Sequence, residues 1–365
     1  MSKTKFQVEF TLKQHTPIIH FQSDQKGATL RATELKSKLD RFITKQLKTI
    51  NYALYDEYKG VIQDETLFPP VSEKKGCNAY KITIYSKGIS QITTPKAYVN
   101  TKKETDKTIY QAPYFADTSK SIMVNSEVLV TIKSFHVKLL ELLDKCKDYI
   151  FIYENFGTRQ SKGFGSYLRN KISDEKIKII LSQHQNKVFK LGSYGDYRNA
   201  FLMIDSFYKE LKMGINKPYK KSLIFKYICN KHHLGWEKKF IKNNFPEVIH
   251  GEHSPAVCQE PDDKEFRYIR AMLGLAEHNE FRPGGNKKQI KIKSTSGIER
   301  FKSPITFKVF NNTVYLMFDN SYKRLYDKEF NFNGKPIRTP KESEFDMYAF
   351  LTSVCKETKL EEVVL

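Results

Sequence analysis

A stretch rich in glycines and cations, NFGTRQSKGFGSYL, has the residue types that bind a phosphate backbone. Its glycines and cations are Gly157, Arg159, Lys162, Gly163 and Gly165. Glycine permits a positive φ and a close approach of the backbone, so amides can face an anion while arginine and lysine reach its charge. The Walker sequence, G-x-x-x-x-G-K followed by Ser or Thr, is absent, which argues against nucleotide hydrolysis. The stretch predicts a mobile, cationic hairpin that cradles a nucleic-acid backbone.

Polar residues near the N-terminus are candidates for acid–base chemistry. Asp24 stands in FQSDQKG close to His20. No second carboxylate is near it in sequence, and a single Asp in a loop is more often a turn former. His15 and His20 have the side chain for acid–base chemistry at an RNA 2′-hydroxyl, although a His beside a strand end is more often a structural donor. Cleavage by Asp24 and His20 is therefore the alternative to binding without catalysis.

Cysteines and histidines in the second half of the chain are the residue types that coordinate zinc in proteins. They read C-x-x-H-H and then H-x-x-H-x-x-x-x-C, formed by Cys229, His232, His233, His250, His253 and Cys258. Neither pair forms the usual C-x-x-C knuckle, and an exposed histidine loop with two buried cysteines explains the pattern equally. We expect no cofactor, with Cys229, His232, His250 and His253 as a weak candidate metal site.

The charge of the chain predicts a polyanionic partner. Its 365 residues include 62 Lys and Arg against 41 Asp and Glu, a formal net charge of +21 that repels itself unless a polyanion neutralises it. A basic surface kept for solubility, or attraction to an anionic membrane, would give the same count, but no basic amphipathic helix stands apart as an anchor. Aromatic residues make up 13% of the chain, and those outside the cores offer faces for unpaired bases. Nucleic acid is the favoured partner.

Hydropathy and cysteine usage predict a soluble, cytoplasmic protein. The chain is 39% hydrophobic, has no apolar run long enough to cross a bilayer, and begins without an apolar signal segment. Its five cysteines are an odd number and widely spaced, which suits a reducing cytosol. The length suggests about two domains, each with its own core.

The first half of the chain predicts the element order βαββαβ. Apolar alternation indicates a strand from Phe6 to Leu12, and helical spacing joins Leu35 to Leu47, with Thr33 as the cap. The further elements are strands at Tyr80–Tyr85 and Ile122–Ile132, a helix at Val137–Cys146, and a last strand that is either YIFIY (residues 149–153) or the segment after the glycines. This order defines the ferredoxin-like fold, whose helices cover one face of a sheet and leave the other free for RNA or a partner.

The second half predicts another domain that contains inserted helices. The expected elements are a helix from about Arg198 to Met213, a loop at Glu247–Lys264, strands at Gln289–Lys293, Ile305–Phe310 and Val314–Phe318, and a final helix through Phe345, Tyr348, Leu351 and Cys355. Asn311 and Asn312 predict a tight hairpin between the last two strands. The fold class is α+β, with two ferredoxin-like (RRM-like) domains at residues 1–185 and 186–365, the second with helical insertions.

At the glycine stretch the chain resembles the RAMP superfamily of CRISPR proteins, which are Cas7-like. GTRQSKGFGSY is most similar to the first RAMP subunit of the type III-B (Cmr) effector complex, where G-x-R-x-x-x-G-F-G-S is usual. TPIIHFQSDQKGATLRATELKSKLDRFI and GIERFKSPITFKVF resemble two further segments of that subunit. In the family the first helix usually continues as Arg-Phe-Trp-Trp, whereas here Arg41 and Phe42 are followed by Ile43 and Thr44, and the only Trp is Trp236.

The resemblance implies a non-catalytic subunit that contacts guide RNA and target RNA in antiviral defence, beside other RAMP subunits and away from membranes. It places Arg31, Lys36 and Arg41 against RNA from the first helix, together with the glycine stretch. The polar face of this helix carries Lys38, Arg41, Lys45 and Lys48 at three- and four-residue steps. Such a face is normally just solvated, but it could also track phosphates. The resemblance also implies an alternative, an RNA-cleaving RAMP endoribonuclease. Asp24 would then help to cleave target RNA with a metal ion, as in Cas7 backbone subunits, or His15 and His20 would act as acid and base, as in the guide-processing nucleases. A third alternative is an assembly module whose basic surface docks acidic neighbours.

Overall fold

The computed structural model describes residues 6–19, 29–69, 79–93, 120–124, 127–184, 186–216, 218–245, 265–275, 278–281, 288–295, 297–298 and 300–364. Its α-helices are α1 Ala32–Arg41, α2 Leu47–Ile50, α3 Tyr52–Glu57, α4 Lys59–Ile62, α5 Val137–Tyr153, α6 Asp174–Ser182, α7 Tyr197–Lys212, α8 Leu223–His232, α9 Glu237–Asn244 and α10 Met347–Cys355. A π-helical segment, Phe42–Gln46, joins α1 to α2, and 3-10 helices occupy Ile269–Leu273 and Asn320–Leu325.

The strands follow the chain from end to end. They are β1 Gln7–Gln14, β2 Tyr80–Ser86, β3 Ile89–Thr93, β4 Lys120–Val124, β5 Val128–Ser134, β6 Tyr167–Arg169, β7 Phe189–Ser193, β8 Ile215–Asn216, β9 Tyr219–Lys220, β10 Gly235–Trp236, β11 Phe266–Arg267, β12 His278–Phe281, β13 Lys288–Ser294, β14 Ile305–Phe310, β15 Thr313–Phe318, β16 Glu329–Phe332, β17 Lys335–Arg338 and β18 Glu361–Glu362. The protein is therefore a mixed α+β fold with several sheets, as predicted.

The chain forms two compact units. The first comprises Met1–Asp205, Thr306–Met317 and Glu361–Leu365, and the second comprises Ser206–Ile305 and Phe318–Leu360. Neither unit ends at residue 185, where the sequence predicts a domain boundary, and that boundary stays a prediction.

The first unit is built on a four-stranded sheet in the order β2-β5-β1-β6. Each neighbouring pair of strands is antiparallel. In β1 the side chains of Phe10 and Leu12 are buried and those of Glu9 and Lys13 are exposed, which confirms the predicted alternation. The elements run β1, α1, β2, β5, α5, β6, with the β3-β4 hairpin between β2 and β5. The strand after the glycines, β6, is thus the one that completes this sheet.

Three local predictions for the first half are wrong. YIFIY is the last part of α5, where Ile150, Phe151 and Ile152 are at most 1% exposed. A helix buried on all sides loses its polar stripe, so its sequence looks like that of a buried strand. The expected strand at Ile122–Ile132 is divided between β4 and β5, which have different partners. Thr33 lies inside α1, and the cap position is Arg31, which makes no side-chain capping bond.

A second four-stranded sheet of the first unit has the order β14-β15-β7-β18. The turn between β14 and β15 uses Asn311 and Asn312 at φ of 46° and 55°, as the hairpin prediction requires. Along the chain α7 follows β7, the helices α8 and α9 follow α7 where inserted helices are predicted, and α10 precedes β18.

The second unit contains a six-stranded sheet in the order β10-β11-β17-β16-β13-β12. Trp236 stacks on Phe225 with ring centroids 4.3 Å apart, and the buried guanidinium of Arg267 lies 2.9 Å from the Glu344 carboxylate. In the described part of the chain, no helix has both the length and the apolar character needed to span a membrane.

Candidate RNA interface

The glycine loop, residues 154–166, connects the end of α5 to β6. It is therefore not the hairpin after a strand that the sequence predicts. Residues 157–162 are half-buried, and residues 163–166 are buried. Residues 163–166 are therefore not accessible to a macromolecular ligand.

Two of its glycines have conformations that the surrounding backbone enforces. Gly157 has a φ of 81°, and a Cβ on it would lie 2.6 Å from the carbonyl oxygen of Ile19. Gly165 has a φ of 65°, and a Cβ there would fall on the carbonyl oxygen of Phe156. Other residues rarely adopt a positive φ, and here there is also no space for their side chains. These glycines shape the loop.

The amides of the loop glycines are engaged within the protein. The Gly157 amide donates to both carboxylate oxygens of Glu34, at 2.9 and 3.1 Å. Gly163 donates to the Gln160 carbonyl and Gly165 donates to the Pro17 carbonyl. The expectation that these amides face an external anion is wrong in this structure, because each already has an acceptor.

Thr16 fixes the buried half of the loop. Its hydroxyl donates to the Gly163 carbonyl at 2.6 Å and accepts from the Ser166 amide at 2.9 Å. Phe164 stacks on Phe201 with ring centroids 4.2 Å apart. The Thr-Pro segment near the N-terminus thus anchors the buried half of the loop by hydrogen bonds, and the expected mobility of the loop stays a prediction.

Lys38 lies beneath the loop and not on the solvated side of the first helix. Its ammonium lies 2.8 Å from the Glu154 carboxylate, 2.5 Å from the Asn155 carbonyl oxygen and 2.8 Å from the Gln160 side-chain oxygen. Burial lowers the pKa of the Lys38 ammonium, and the Glu154 carboxylate opposes that shift. Gln160 in turn donates to Glu34, 3.1 Å away. A buried polar network therefore joins α1 to the loop.

The strand β14 completes this network from the other side. The ammonium of Lys308 is fully buried and donates to the Glu154 carbonyl at 2.6 Å. Burial lowers the pKa of Lys308 well below its usual range, and the nearby Lys38 charge acts in the same direction. The Asn155 side chain donates to the Phe307 carbonyl at 2.8 Å. Residues from all three segments that carry the family resemblance thus contact one another at this loop.

Cations predicted to bind RNA lie around the loop and along the first helix. We call them the cationic rim: Arg31, Arg41, Lys45, Arg159 and Lys162. The Arg41 side chain is 49% exposed and reaches the Glu154 carboxylate at 3.6 Å, and Lys45 is exposed. Arg31, Arg159 and Lys162 are half-buried. Glu154 therefore links a rim cation to the network that holds the loop.

Lys36 stands apart from this rim. Its ammonium donates to the Tyr80 carbonyl at 2.7 Å and lies 3.6 Å from the centroid of the Tyr80 ring. The side chain thus ties α1 to β2, and its predicted RNA contact stays a prediction.

Comparison with known proteins assigns the chain to a family. The model of the Cmr1 N-terminal domain matches residues 5–215, and that of the Cmr1 C-terminal domain matches residues 219–364. The chain belongs to the Cmr1 family. The resemblance to the first RAMP subunit of the Cmr complex is thereby confirmed, and membership of the Cmr1 family implies a subunit of the type III-B CRISPR effector.

A solved structure was also found, the apo crystal structure of Cmr1 from Pyrococcus furiosus. It is 11% identical to this chain, the match covers 98% of each chain, and the TM-score is 0.42. The search of curated proteins returned no match.

Of the candidate catalytic residues of this Cmr1-family chain, only His15 is among the described residues. Asp24 and His20 lie outside the described residues. His15 is described, and burial together with the charges of Lys13 and Lys308 lowers its pKa to about 3. This lowered pKa disfavours the imidazolium that a general acid needs, so His15 suits that role poorly.

We predict that His15 contributes to a pH dependence of stability. Its pKa of about 3 lies below the ordinary value of 6.5, so the unfolded chain binds more protons between these two pH values. The free energy of unfolding should therefore fall as the pH falls through this window. His15→Gln should flatten that slope in urea titrations at a series of pH values. Equal slopes in His15→Gln and the wild type would contradict the buried, neutral histidine.

Half of the candidate metal site lies within the described residues. Cys229 and His232 belong to α8, and His233 ends that helix at a φ of 55°. His250 and His253 lie outside the described residues. The described part of the chain contains no group of three or more His, Cys, Asp or Glu side chains suited to a metal ion.

Sequence reasoning missed the residues that hold the loop in this Cmr1-family chain, Glu34, Glu154 and Lys308. Nothing in the sequence distinguishes Glu34 and Glu154 from surface residues, since a glutamate on a helix or just after one is usually solvated. Lys308 has a distinguishing signal, because it stands alone among apolar residues in the strand sequence ITFKVF. A single lysine in an apolar strand indicates a buried ammonium with its own acceptors.

Proposed function

We propose that this Cmr1-family chain is a non-catalytic, RNA-binding subunit of the type III-B effector complex that contacts the guide RNA and its paired target. The observation that carries the proposal is the cationic rim around an anchored loop, in a chain with a net charge of +21. Lysine and arginine bind RNA by displacing counterions from its backbone, which needs charge and position but no sequence readout. Base pairing between guide and target would supply the specificity.

In this proposal the glycine loop positions Arg159 and Lys162 for contact with RNA. Its inner side is neutralised by the carboxylates of Glu34 and Glu154, which engage the Gly157 amide and the Lys38 ammonium. Arg159 and Lys162 are on the half-buried part of the loop, and we propose that their side chains turn to phosphates when RNA binds. Gly163 and Gly165 would act by keeping the loop close to the protein, and Lys36 would add a contact if it exchanged Tyr80 for a phosphate.

We further propose that the chain consists of two ferredoxin-like halves, the second with helical insertions. Two features support this arrangement. The sheet β2-β5-β1-β6 and the sheet β14-β15-β7-β18 have the same order when their strands are counted along the chain. Both have a helix after the first strand and another before the last. The neighbours of the chain would be other RAMP subunits.

Removing two rim charges should weaken RNA binding for all sequences alike. We expect Arg159→Ala/Lys162→Ala to reduce the affinity of the purified chain for single-stranded RNA and to flatten its salt dependence, by a slope of about 0.7 for each phosphate that no longer has a cation beside it. Fluorescence anisotropy over a series of salt concentrations measures both quantities. Lys59→Ala/Lys178→Ala removes the same charge from exposed positions in α4 and α6 and is the matched control. An unchanged slope in the rim variant would overturn the proposed contact.

The purified chain tests the endoribonuclease alternative, and the assembled complex tests the assembly-module alternative. Incubation with RNA and Mg²⁺ should leave the RNA intact, whereas cutting that Asp24→Ala abolishes would establish the endoribonuclease. After ribonuclease treatment an RNA-bridged subunit should leave the complex. A subunit that stays bound to its neighbours without RNA would instead be an assembly module.

A further inference from the structure

The face of the first sheet that points away from its core has an unfavourable pair of charges. Lys81 of β2 and Lys133 of β5 are directly opposite each other in the antiparallel register, so their side chains share one face, and both are exposed. Like charges directly opposite each other destabilise a sheet. Among the described residues neither lysine has an ion-pair partner. An anion bound between them would remove this repulsion.

Exposed aromatic rings lie on either side of this lysine pair. Phe135 follows the last residue of β5, two residues beyond Lys133, and is 88% exposed. It contacts Phe6, which is 45% exposed, with ring centroids 6.0 Å apart. At the other side, Tyr85 lies on the same face as Lys81 and is 57% exposed. A rise of about 3.3 Å per residue puts Tyr85 roughly 13 Å from Lys81 along β2.

The rest of this face has little charge that opposes the lysines. Glu9 of β1 is the acidic side chain beside them, and its carboxylate accepts a hydrogen bond from Thr131, 3.2 Å away. Lys87 adds a cation 5.7 Å from the centroid of the Tyr85 ring. Interleaved cations and exposed rings suit a strand of unpaired nucleotides, whose phosphates need charge and whose bases stack on any aromatic face. A protein partner would need an acidic surface and would gain less from rings so far apart.

We propose that this sheet face is a second RNA site, specific for unpaired nucleotides. Lys81 and Lys133 hold a phosphate between them, and Phe135 and Tyr85 stack bases on either side. The inference rests on the proposed RNA-binding function but uses residues separate from the cationic rim. The rim takes RNA of any form by its charge, whereas the sheet face discriminates single strands from duplexes because paired bases have no free faces.

Titration of the full-length chain with a short oligouridylate and with an RNA duplex of equal length tests the proposal. Tyr85→Leu/Phe135→Leu keeps apolar side chains at these exposed positions and removes the rings. We expect it to weaken binding of the oligouridylate by about 5- to 150-fold for each stacking ring removed, with duplex binding unchanged. Lys81→Ala/Lys133→Ala should flatten the salt slope for the oligouridylate by about 0.7 for each phosphate left without its cation. Oligonucleotides that contain 4-thiouridine should crosslink to peptides that include Tyr85 or Phe135.

The outcomes separate this site from the rim. Loss of oligouridylate binding in the sheet-face variants but not in Arg159→Ala/Lys162→Ala would support the second site and refute the rim contact. If both sheet-face variants bind the oligouridylate like Lys59→Ala/Lys178→Ala, the second site does not exist, whatever the rim does. Normal RNA binding combined with failure to join the other subunits would identify the face as a protein interface and overturn the proposal.

Discussion

Replacement of Lys38 by methionine should lower the free energy of unfolding by about 3–5 kcal/mol, the range seen when one partner of a buried ion pair is removed. The Lys38 ammonium lies 2.8 Å from the Glu154 carboxylate and also donates to Asn155 and Gln160. Methionine fills a similar volume but donates to none of these groups. The Glu154 carboxylate would then keep Arg41, 3.6 Å away and half exposed, as its cationic partner in the described structure.

Urea unfolding followed by circular dichroism measures this loss, and amide hydrogen exchange in α1 and α5 locates it. Lys45→Met, at an exposed position of the π-helical segment, is the matched control and should change stability by less than about 0.5 kcal/mol. Lys38→Met/Glu154→Leu should be more stable than Lys38→Met, because it leaves no buried carboxylate without its main cation. A wild-type urea midpoint in Lys38→Met would show that the network does not stabilise the loop.

The elements that the sequence predicts well are those with one polar face. The alternation in β1 and the helical spacing of the first helix each place their apolar residues in the core, where Phe10, Leu35 and Leu39 are buried. The paired asparagines between β14 and β15 identify a turn because they tolerate the positive φ that it needs. In each case local sequence and tertiary environment favour the same conformation.

Prediction failed where burial removes that contrast. The end of α5 is apolar on every side, and neither periodicity nor composition distinguishes Tyr149–Tyr153 from a strand of a central sheet. Lys38 was difficult to predict for a different reason, because a residue that looks solvated in the sequence is buried in the structure. Its position among the helix cations indicates a solvated residue, and only the tertiary fold brings the Glu154 carboxylate to it. Pairings between residues that are 116 positions apart leave no trace in a single sequence.

The sequence predicts which segments form the candidate site, but it does not predict which groups the glycine amides of the loop bind. The resemblance selects the first helix, the glycine stretch and the late strand, and residues of these segments meet around Asn155. Composition alone suggests that glycines expose amides to an anion. The structure shows that acceptors within the protein take those amides, because a half-buried loop must satisfy its own donors. The glycines therefore determine the shape of the loop, and the predicted RNA contacts of the cationic rim stay a prediction.

Gly165→Ala is therefore expected to damage the loop without removing any charged group. A residue other than glycine at a φ of 65° costs about 1–3 kcal/mol, and the added Cβ also meets the Phe156 backbone, an overpacking that costs about 1–3 kcal/mol more. Because Phe156 is fully buried, its backbone has little room to move. We expect a loss of roughly 2–6 kcal/mol in urea unfolding. RNA affinity at a temperature where the variant remains folded should fall as well, since Arg159 and Lys162 belong to the same loop.

Substitutions of two other glycines distinguish the strain of a positive φ from the contact that an added Cβ makes. Gly334 also has a positive φ, 94°, but nothing within 4 Å of an added Cβ, so Gly334→Ala should show the strain alone. Gly60 lies in α4 with nothing within 4 Å, and Gly60→Ala should stabilise the chain by about 0.5–1 kcal/mol because alanine loses less backbone entropy. If Gly165→Ala is no worse than Gly334→Ala, the contact with Phe156 is not what fixes the loop. If stability falls but RNA affinity at that temperature does not, the rim cations bind RNA without needing the shape that the glycines impose.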